Sequence, residues 1–83
     1  VDVRRYSEWD EGHIEGATHI YLGRLPERLG EIPEGKNVVF QCKTGTRSSF
    51  AASILLKAGR KRVYNLLGGI DSWKNLGYPL VKD

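Results

Sequence analysis

The 83-residue sequence predicts an α/β fold in which a small parallel sheet is wrapped by helices. Short β-prone runs alternate with helix-like segments, which is the order found in parallel sheets flanked by helices. Residues 37–42 (NVVFQC) form an apolar run of the kind that is buried on both faces of such a sheet. Ligands of these sheets bind outside the carboxyl ends of the strands. The end of this run is therefore where we expect a functional site.

The first elements are predicted to be two strand segments around one short helix. Residues 1–3 resemble the end of a strand, and residues 16–22 form a second β-prone run. Ser7 is expected to cap a helix over residues 7–10, because Ser-x-x-Asp brings a hydroxyl and a carboxylate to the first free backbone N–H groups. Gly12 then ends this helix.

Proline and glycine mark the other short elements. Pro26 suits the first turn of a helix over residues 26–32. A last strand over residues 62–66 precedes a short helix over residues 70–77, which Gly77 closes. Strands and helices thus alternate to the end of the sequence.

Residues 48–59 (SSFAASILLKAG) are the clearest helix in the sequence. Its apolar side chains share one face: Phe50, Ala51, Ile54, Leu55 and Ala58. A narrow polar stripe lies opposite them: Ser49, Ser53 and Lys57. Gly59 stands where a C-terminal glycine is expected. We expect this apolar face to pack on the sheet.

The composition indicates one small domain, residues 1–83, that is stabilised by packing. A single cysteine excludes an internal disulfide and a four-cysteine metal site. The formal net charge of +3 is mild, and the dense basic run KAGRKR suits a helix end and the following turn. We therefore expect no cofactor, no metal, and no nucleic-acid or membrane partner. Without a signal peptide or a membrane-length run, the protein is predicted to be cytoplasmic.

The sequence opens in the tail of a strand and contains no methionine. We therefore expect a fragment or a module of a longer protein that lacks the start of the first strand.

The only cysteine, Cys42, opens a loop of six residues (CKTGTR) between the apolar strand and the clear helix. In a loop at this place, backbone N–H groups and the positive end of the helix dipole can bind an anion. Gly45 supplies the positive φ angle that such a curl needs. The candidate site consists of the nucleophile Cys42 and the substrate-binding residues Lys43, Thr44, Gly45, Thr46, Arg47 and Ser48.

This setting favours the ionised form of the Cys42 thiol. Free cysteine has a pKa of about 8.5, and helix-terminal or cationic settings lower it to roughly 3.5–7.5. The thiolate is the nucleophile, and no histidine lies near Cys42 in the sequence to act as its base. The alternative is a small apolar residue that completes a buried strand. The glycine, threonines, lysine and arginine that follow favour reactivity.

Three motifs occur in the order found in one known family. Near the start, the spacing D-V-R, E-[FYW], G-H-I-x-G-A-x-[HN]-[IL] is matched by DVRRYSEWDEGHIEGATHI. The loop pattern C-x-x-G-x-R-S is matched by CKTGTRS, and V-x-x-L-x-G-G-x-x-x-W-x-x-x-G-x-P by VYNLLGGIDSWKNLGYP. Over essentially its whole length, the chain resembles the rhodanese-like sulfurtransferases.

The resemblance implies a parallel five-stranded sheet and an enzyme that transfers sulfane sulfur. Cys42 would take sulfur from thiosulfate or a persulfide and become a persulfide itself, and a thiol or cyanide would then accept that sulfur. Arg47 and Lys43 would attract an oxyanion such as the sulfonate end of thiosulfate.

Other functions remain open. The same fold could serve as a sulfur-relay or binding module of a fusion protein, for example with a persulfide dioxygenase, or of a partner in sulfur trafficking. A phosphatase or arsenate reductase is disfavoured, because those relatives carry a loop one residue longer. A purely structural role is disfavoured too, since Cys42 and Arg47 are both present.

Five residues outside the loop are predicted to be structural. His13 is expected to organise a turn, and Trp9 and Trp73 to pack helices. Gly68 and Gly69 are expected to form a tight turn that borders the pocket as shape rather than as chemistry.

Overall fold

The structure, a computed structural model, describes residues 1–82. In chain order its elements are α1 (Tyr6–Glu11), a first 3₁₀ helix (Leu22–Glu27), a second 3₁₀ helix (Leu29–Glu31), β1 (Val38–Phe40), α2 (Thr46–Lys57), β2 (Val63–Asn65) and α3 (Gly69–Asn75). The predicted α/β class with a parallel sheet and helices is confirmed. None of the helices over residues 1–82 combines the length and the apolarity needed to cross a membrane.

The sheet is parallel and is built around β1. β1 pairs with β2 on one side. On its other side, Gln41 bridges in parallel to Asp2, and Asp2 bridges in turn to His19. The predicted strands at residues 1–3 and 16–22 are thus bridged segments rather than full strands. Within residues 1–82, the five-stranded sheet implied by the resemblance is therefore reduced to two strands and these bridged segments.

One face of the sheet carries the core. The buried apolar residues are Val3, Ile20, Leu25, Ile32, Val38, Phe40, Cys42, Ala51 and Leu55. They come from the sheet segments, the region of the 3₁₀ helices and one face of α2. Since Cys42 is itself only 1% exposed, the site residue is continuous with the core.

The cap predicted for α1 is wrong. The helix begins at Tyr6 with Arg5 as its N-cap, so Ser7 lies inside the first turn. The Glu8 carboxylate accepts a hydrogen bond of 3.1 Å from the Arg5 backbone N–H, which is the bond that the acidic residue of a capping box makes to the N-cap. Gly12 ends the helix as predicted.

The helix predicted over residues 26–32 is replaced by the two 3₁₀ helices, and Pro26 lies near the end of the first one rather than in a first turn. The first 3₁₀ helix begins at Leu22, because the Leu22 N–H donates to the Val3 carbonyl at 3.1 Å and so ties this position to the sheet. The missing N–H of Pro26 is tolerated in a short 3₁₀ segment.

The helix predicted over residues 48–59 is confirmed as α2, and its buried face agrees with the predicted one in part. Ala51 and Leu55 are fully buried, whereas Phe50 is 65% exposed. The cause is Ser48, which is fully buried at the end of the sheet beside Cys42. Phe50 follows Ser48 by two residues, which is about 200° around a helix, so it points to the opposite side.

Candidate active site

Cys42 lies just beyond the carboxyl end of β1, and α2 begins four residues later at Thr46. The loop between them curls tightly. Gly45 is the N-cap of α2 and has a φ of 110°, a left-handed conformation that suits glycine. The site thus lies between the end of a parallel strand and the start of a helix, which is where ligand sites are expected in such sheets.

Hydrogen-bond donors from the start of α2 surround the Cys42 sulfur. The backbone N–H of Gly45 donates to Sγ at 3.1 Å, and the backbone N–H of Ser48 donates at 3.4 Å. The Ser48 hydroxyl lies 3.4 Å from the same sulfur. These donors are directed at an atom that carries a full negative charge when it ionises, so they favour the thiolate.

Two opposing effects act on the pKa of the Cys42 thiol. Burial raises the pKa, because it disfavours the charged form. Hydrogen bonds from the Ser48 hydroxyl and from the backbone N–H groups of Ser48, Gly45 and Thr44 lower it and prevail. The pKa of Cys42 is therefore below its usual value, as activation of a nucleophile without a neighbouring base requires.

The start of α3 holds the loop from the other side. The backbone N–H of Ile70 donates to the Cys42 carbonyl at 2.8 Å, and that of Asp71 donates to the Lys43 carbonyl at 3.0 Å. These two hydrogen bonds anchor the loop on α3. The N–H groups that follow in the loop face the sulfur. Gly69 permits the approach, since a Cβ there would clash with the Cys42 carbonyl oxygen.

Asn65, at the end of β2, is a site residue that sequence reasoning missed. Its amide nitrogen donates to the Gly45 carbonyl at 3.2 Å, and its amide oxygen accepts from the Ser48 hydroxyl. Asn65 therefore fixes the glycine and the serine whose donors reach the sulfur. Its only sequence signal is its place at the end of a predicted strand.

The two cations of the loop do not contact the sulfur but are paired with carboxylates. The Lys43 ammonium lies 3.3 Å from Asp71, on the exposed side of the loop. The Arg47 guanidinium donates two hydrogen bonds to Glu8, at 2.6 and 2.9 Å. These bonds lower the pKa of Glu8 to about 2 and raise that of Arg47. Glu8 was not singled out from the sequence.

Two open cavities lie beside the loop. The first, of about 560 Å³, is lined by Arg5, Ser7, Glu8, Tyr21, Leu22, Gly23 and Arg47. The second, of about 390 Å³, is lined by Thr44, Gly45, Thr46, Ser49, Asn65, Leu67 and Gly68. The predicted site residues thus fall into three groups. Gly45 and Ser48 contact the sulfur, Lys43 and Arg47 are paired, and Thr44 and Thr46 line the second cavity.

Both histidines hydrogen-bond to backbone carbonyls. His13 Nδ1 lies 3.0 Å from the Trp9 carbonyl, and His19 Nε2 lies 2.7 Å from that of Arg4. The Trp9 ring stacks on both imidazoles, with centroid distances of 3.5 and 4.8 Å. These contacts match the structural role predicted for His13 and Trp9.

A cysteine thiol that accepts hydrogen bonds from helix-terminal amides at the end of a parallel strand defines the candidate site of this α/β domain. A family model described as "Rhodanese-like domain" matches residues 1–76, and the chain belongs to this family. Its relatives include a "Sulfurtransferase" of Allochromatium vinosum, which is 40% identical over 98% of this chain and 76% of its own length. At the level of reaction class, the chain is a rhodanese-type sulfurtransferase domain.

Further relatives support the same family. A "Thiosulfate sulfurtransferase GlpE" of Coxiella burnetii is 36% identical over 89% of this chain and 69% of its own length. The crystal structure of a rhodanese-related protein from Thermoplasma volcanium superposes with a TM-score of 0.93 at 31% identity, covering 100% of this chain and 82% of that one. Another curated relative is a "Putative sulfur carrier protein YrkF" of Bacillus subtilis, and this chain spans only 40% of its length.

Proposed function

We propose that this domain transfers sulfane sulfur from thiosulfate or a persulfide to a thiol or cyanide through a persulfide on Cys42. In the first half-reaction, the Cys42 thiolate attacks the outer sulfur of the donor. The donor S–S bond breaks, and its electron pair leaves with sulfite or with a thiolate. In the second, the acceptor attacks the terminal sulfur, the new S–S bond breaks, and the Cys42 thiolate is regenerated.

The observation that carries this proposal is the set of donors on the Cys42 sulfur. The N–H groups of Gly45 and Ser48 stabilise the thiolate before the reaction and could stabilise the negative terminal sulfur after it. Because the thiolate is already favoured, the reaction needs no general base. It suits donors whose leaving groups depart as stable anions.

Donor binding is proposed for the rest of the loop. Thr44 and Thr46 present hydroxyl donors at the rim of the 390 Å³ cavity. Lys43 and Arg47 would attract an anionic donor when their ion pairs with Asp71 and Glu8 open. A relay module that is loaded by a persulfide rather than by thiosulfate is a second candidate, and the pairing of both cations favours it.

The proposal is tested by turnover with cyanide as acceptor. We expect the wild-type protein to form thiocyanate from at least one of two donors, thiosulfate and glutathione persulfide, and Cys42→Ser to form none above the background without protein. Retention of activity by a folded Cys42→Ser variant would overturn the proposal. Turnover with glutathione persulfide alone would select the relay candidate.

A further inference from the structure

The ion pair between Arg47 and Glu8 joins the loop to α1. The two residues are 39 positions apart, and both carboxylate oxygens accept from separate guanidinium nitrogens. The side chains are 33% and 24% exposed, so the pair is shielded from water over most of its surface. Such bidentate pairs are among the stronger polar contacts in proteins.

This pair reduces the positive charge and the hydrogen-bond donors that the loop offers to an anion. Arg47 has committed its two terminal nitrogens to Glu8, and Lys43 is paired with Asp71. The four side chains together carry no net formal charge. An oxyanion that needs the Arg47 fork must first displace a carboxylate that already matches the fork in shape and charge.

Glu8 also lines the 560 Å³ cavity beside Arg47, so a donor that approaches from this side meets a carboxylate. With a pKa of about 2, Glu8 is ionised at neutral pH. Thiosulfate carries two negative charges and holds its sulfonate directly next to the sulfur that is attacked. An organic persulfide carries at most one charge on its two sulfurs, and the carboxylates of glutathione persulfide lie several bonds away from them.

We propose that Glu8 is a specificity-determining residue that occupies the Arg47 guanidinium and thereby disfavours oxyanion donors relative to organic persulfides. The inference rests on the proposed sulfur transfer and names the donor class of that site. The transfer itself is unchanged. The Cys42 thiolate takes the outer sulfur of R–S–S–H to give the Cys42 persulfide, and R–S⁻ leaves with the electron pair of the broken S–S bond.

The variant Glu8→Gln tests the proposal, because the amide removes the charge and keeps one hydrogen-bond acceptor for Arg47. The matched control is Glu31→Gln. Glu31 accepts two hydrogen bonds from Arg28, at 2.7 and 2.8 Å, and the same charge is removed from an exposed pair on the second 3₁₀ helix. The conservative variant Glu8→Asp keeps the charge.

The measurement is kcat/KM for thiosulfate and for glutathione persulfide. We expect Glu8→Gln to shift the ratio towards thiosulfate by roughly three- to tenfold, mainly through a lower KM for thiosulfate. Glu31→Gln should leave the ratio unchanged, and Glu8→Asp should stay close to the wild type. An equal loss of kcat/KM with both donors in Glu8→Gln would indicate that the ion pair is merely structural and would overturn the proposal.

Alkylation of Cys42 separates this inference from the proposed function, since it needs no sulfur transfer. We expect Glu8→Gln to increase the rate with anionic iodoacetate relative to neutral iodoacetamide, and Glu31→Gln to leave this ratio unchanged. An unchanged ratio in Glu8→Gln would overturn the role of Glu8. Absence of sulfur transfer in the wild type, with a shifted alkylation ratio, would overturn the proposed function instead.

Discussion

At the scale of single residues, the chemistry of the site depends on how Ser48 acts on Cys42. Ser48 contributes both its hydroxyl and its backbone N–H to the sulfur. Its hydroxyl has only one proton, and the Asn65 amide oxygen and the Gly45 carbonyl compete for it. Ionisation of Cys42 gives that proton a charged acceptor, so the serine can respond to the charge state of the sulfur.

The variant Ser48→Ala should therefore raise the pKa of Cys42 but leave it nucleophilic, because the backbone donors remain. We expect the pH midpoint of alkylation by iodoacetamide to move upwards, towards the usual cysteine value. The control is Ser49→Ala, since Ser49 is exposed on the next position of the helix. A midpoint that is the same in both variants would contradict the role given to the hydroxyl.

Local spacing predicted the residues that contact the sulfur, but not the residues that hold them. Cys42, Gly45 and Ser48 lie within seven consecutive positions, so a strand–loop–helix pattern was enough to find them. Asn65 and Glu8 reach the loop across 17 or more residues of sequence. Contacts of that kind arise only when the sheet and helices assemble, and the one sign in the sequence is that Glu8 occupies the acidic position of the E-[FYW] pattern.

At the scale of elements, the close approach of α3 holds the loop in place. Gly69 has a φ of 58°, and a side chain there would meet the Cys42 carbonyl oxygen. The sequence indicated a tight glycine turn that borders the pocket. The structure places that turn directly against the backbone of Cys42.

Gly69→Ala and Gly77→Ala form a matched pair, because both glycines have a positive φ but only Gly69 is crowded. Gly77 has a φ of 82°, and a methyl group added there would meet nothing within 4 Å. We expect Gly77→Ala to cost about 1–2 kcal/mol of unfolding free energy from backbone strain alone. Gly69→Ala should cost roughly 3 kcal/mol or more, because a steric clash is added. Urea unfolding measures both, and equal losses would contradict the close approach.

The orientation of α2 shows why an element can be predicted while part of its buried face is not. Hydropathy alone favoured burying the whole apolar face, Phe50 included. Ala51 and Leu55 from that face are buried, but the requirement to place Ser48 on the Cys42 sulfur left Phe50 exposed. A polar contact at the site therefore decided the rotation of the helix.

At the scale of the whole molecule, the pair of Glu8 and Arg47 ties α1 to the loop. The folded state lowers the pKa of Glu8 from 4.5 to about 2, so it binds fewer protons than the unfolded state in that range. The stability that the pair contributes is fully present above pH 4.5 and is lost as the pH falls towards about 2.

We therefore expect Glu8→Gln to lose less stability than the wild type when the pH is lowered through this range, as measured by urea unfolding at a series of pH values. Glu31→Gln serves as the control, because the Glu31 pair is exposed to solvent and contributes little. An acid-induced loss in Glu8→Gln equal to that of the wild type would show that the pair does not stabilise the fold.

Whether Cys42 carries the transferred sulfur is decided by the mass of the intact protein after brief exposure to each donor. We expect a gain of one sulfur atom, about 32 Da, that is absent in Cys42→Ser and is lost on addition of cyanide or a thiol. No gain with thiosulfate or glutathione persulfide, in a protein whose Cys42 still reacts with iodoacetamide, would contradict it.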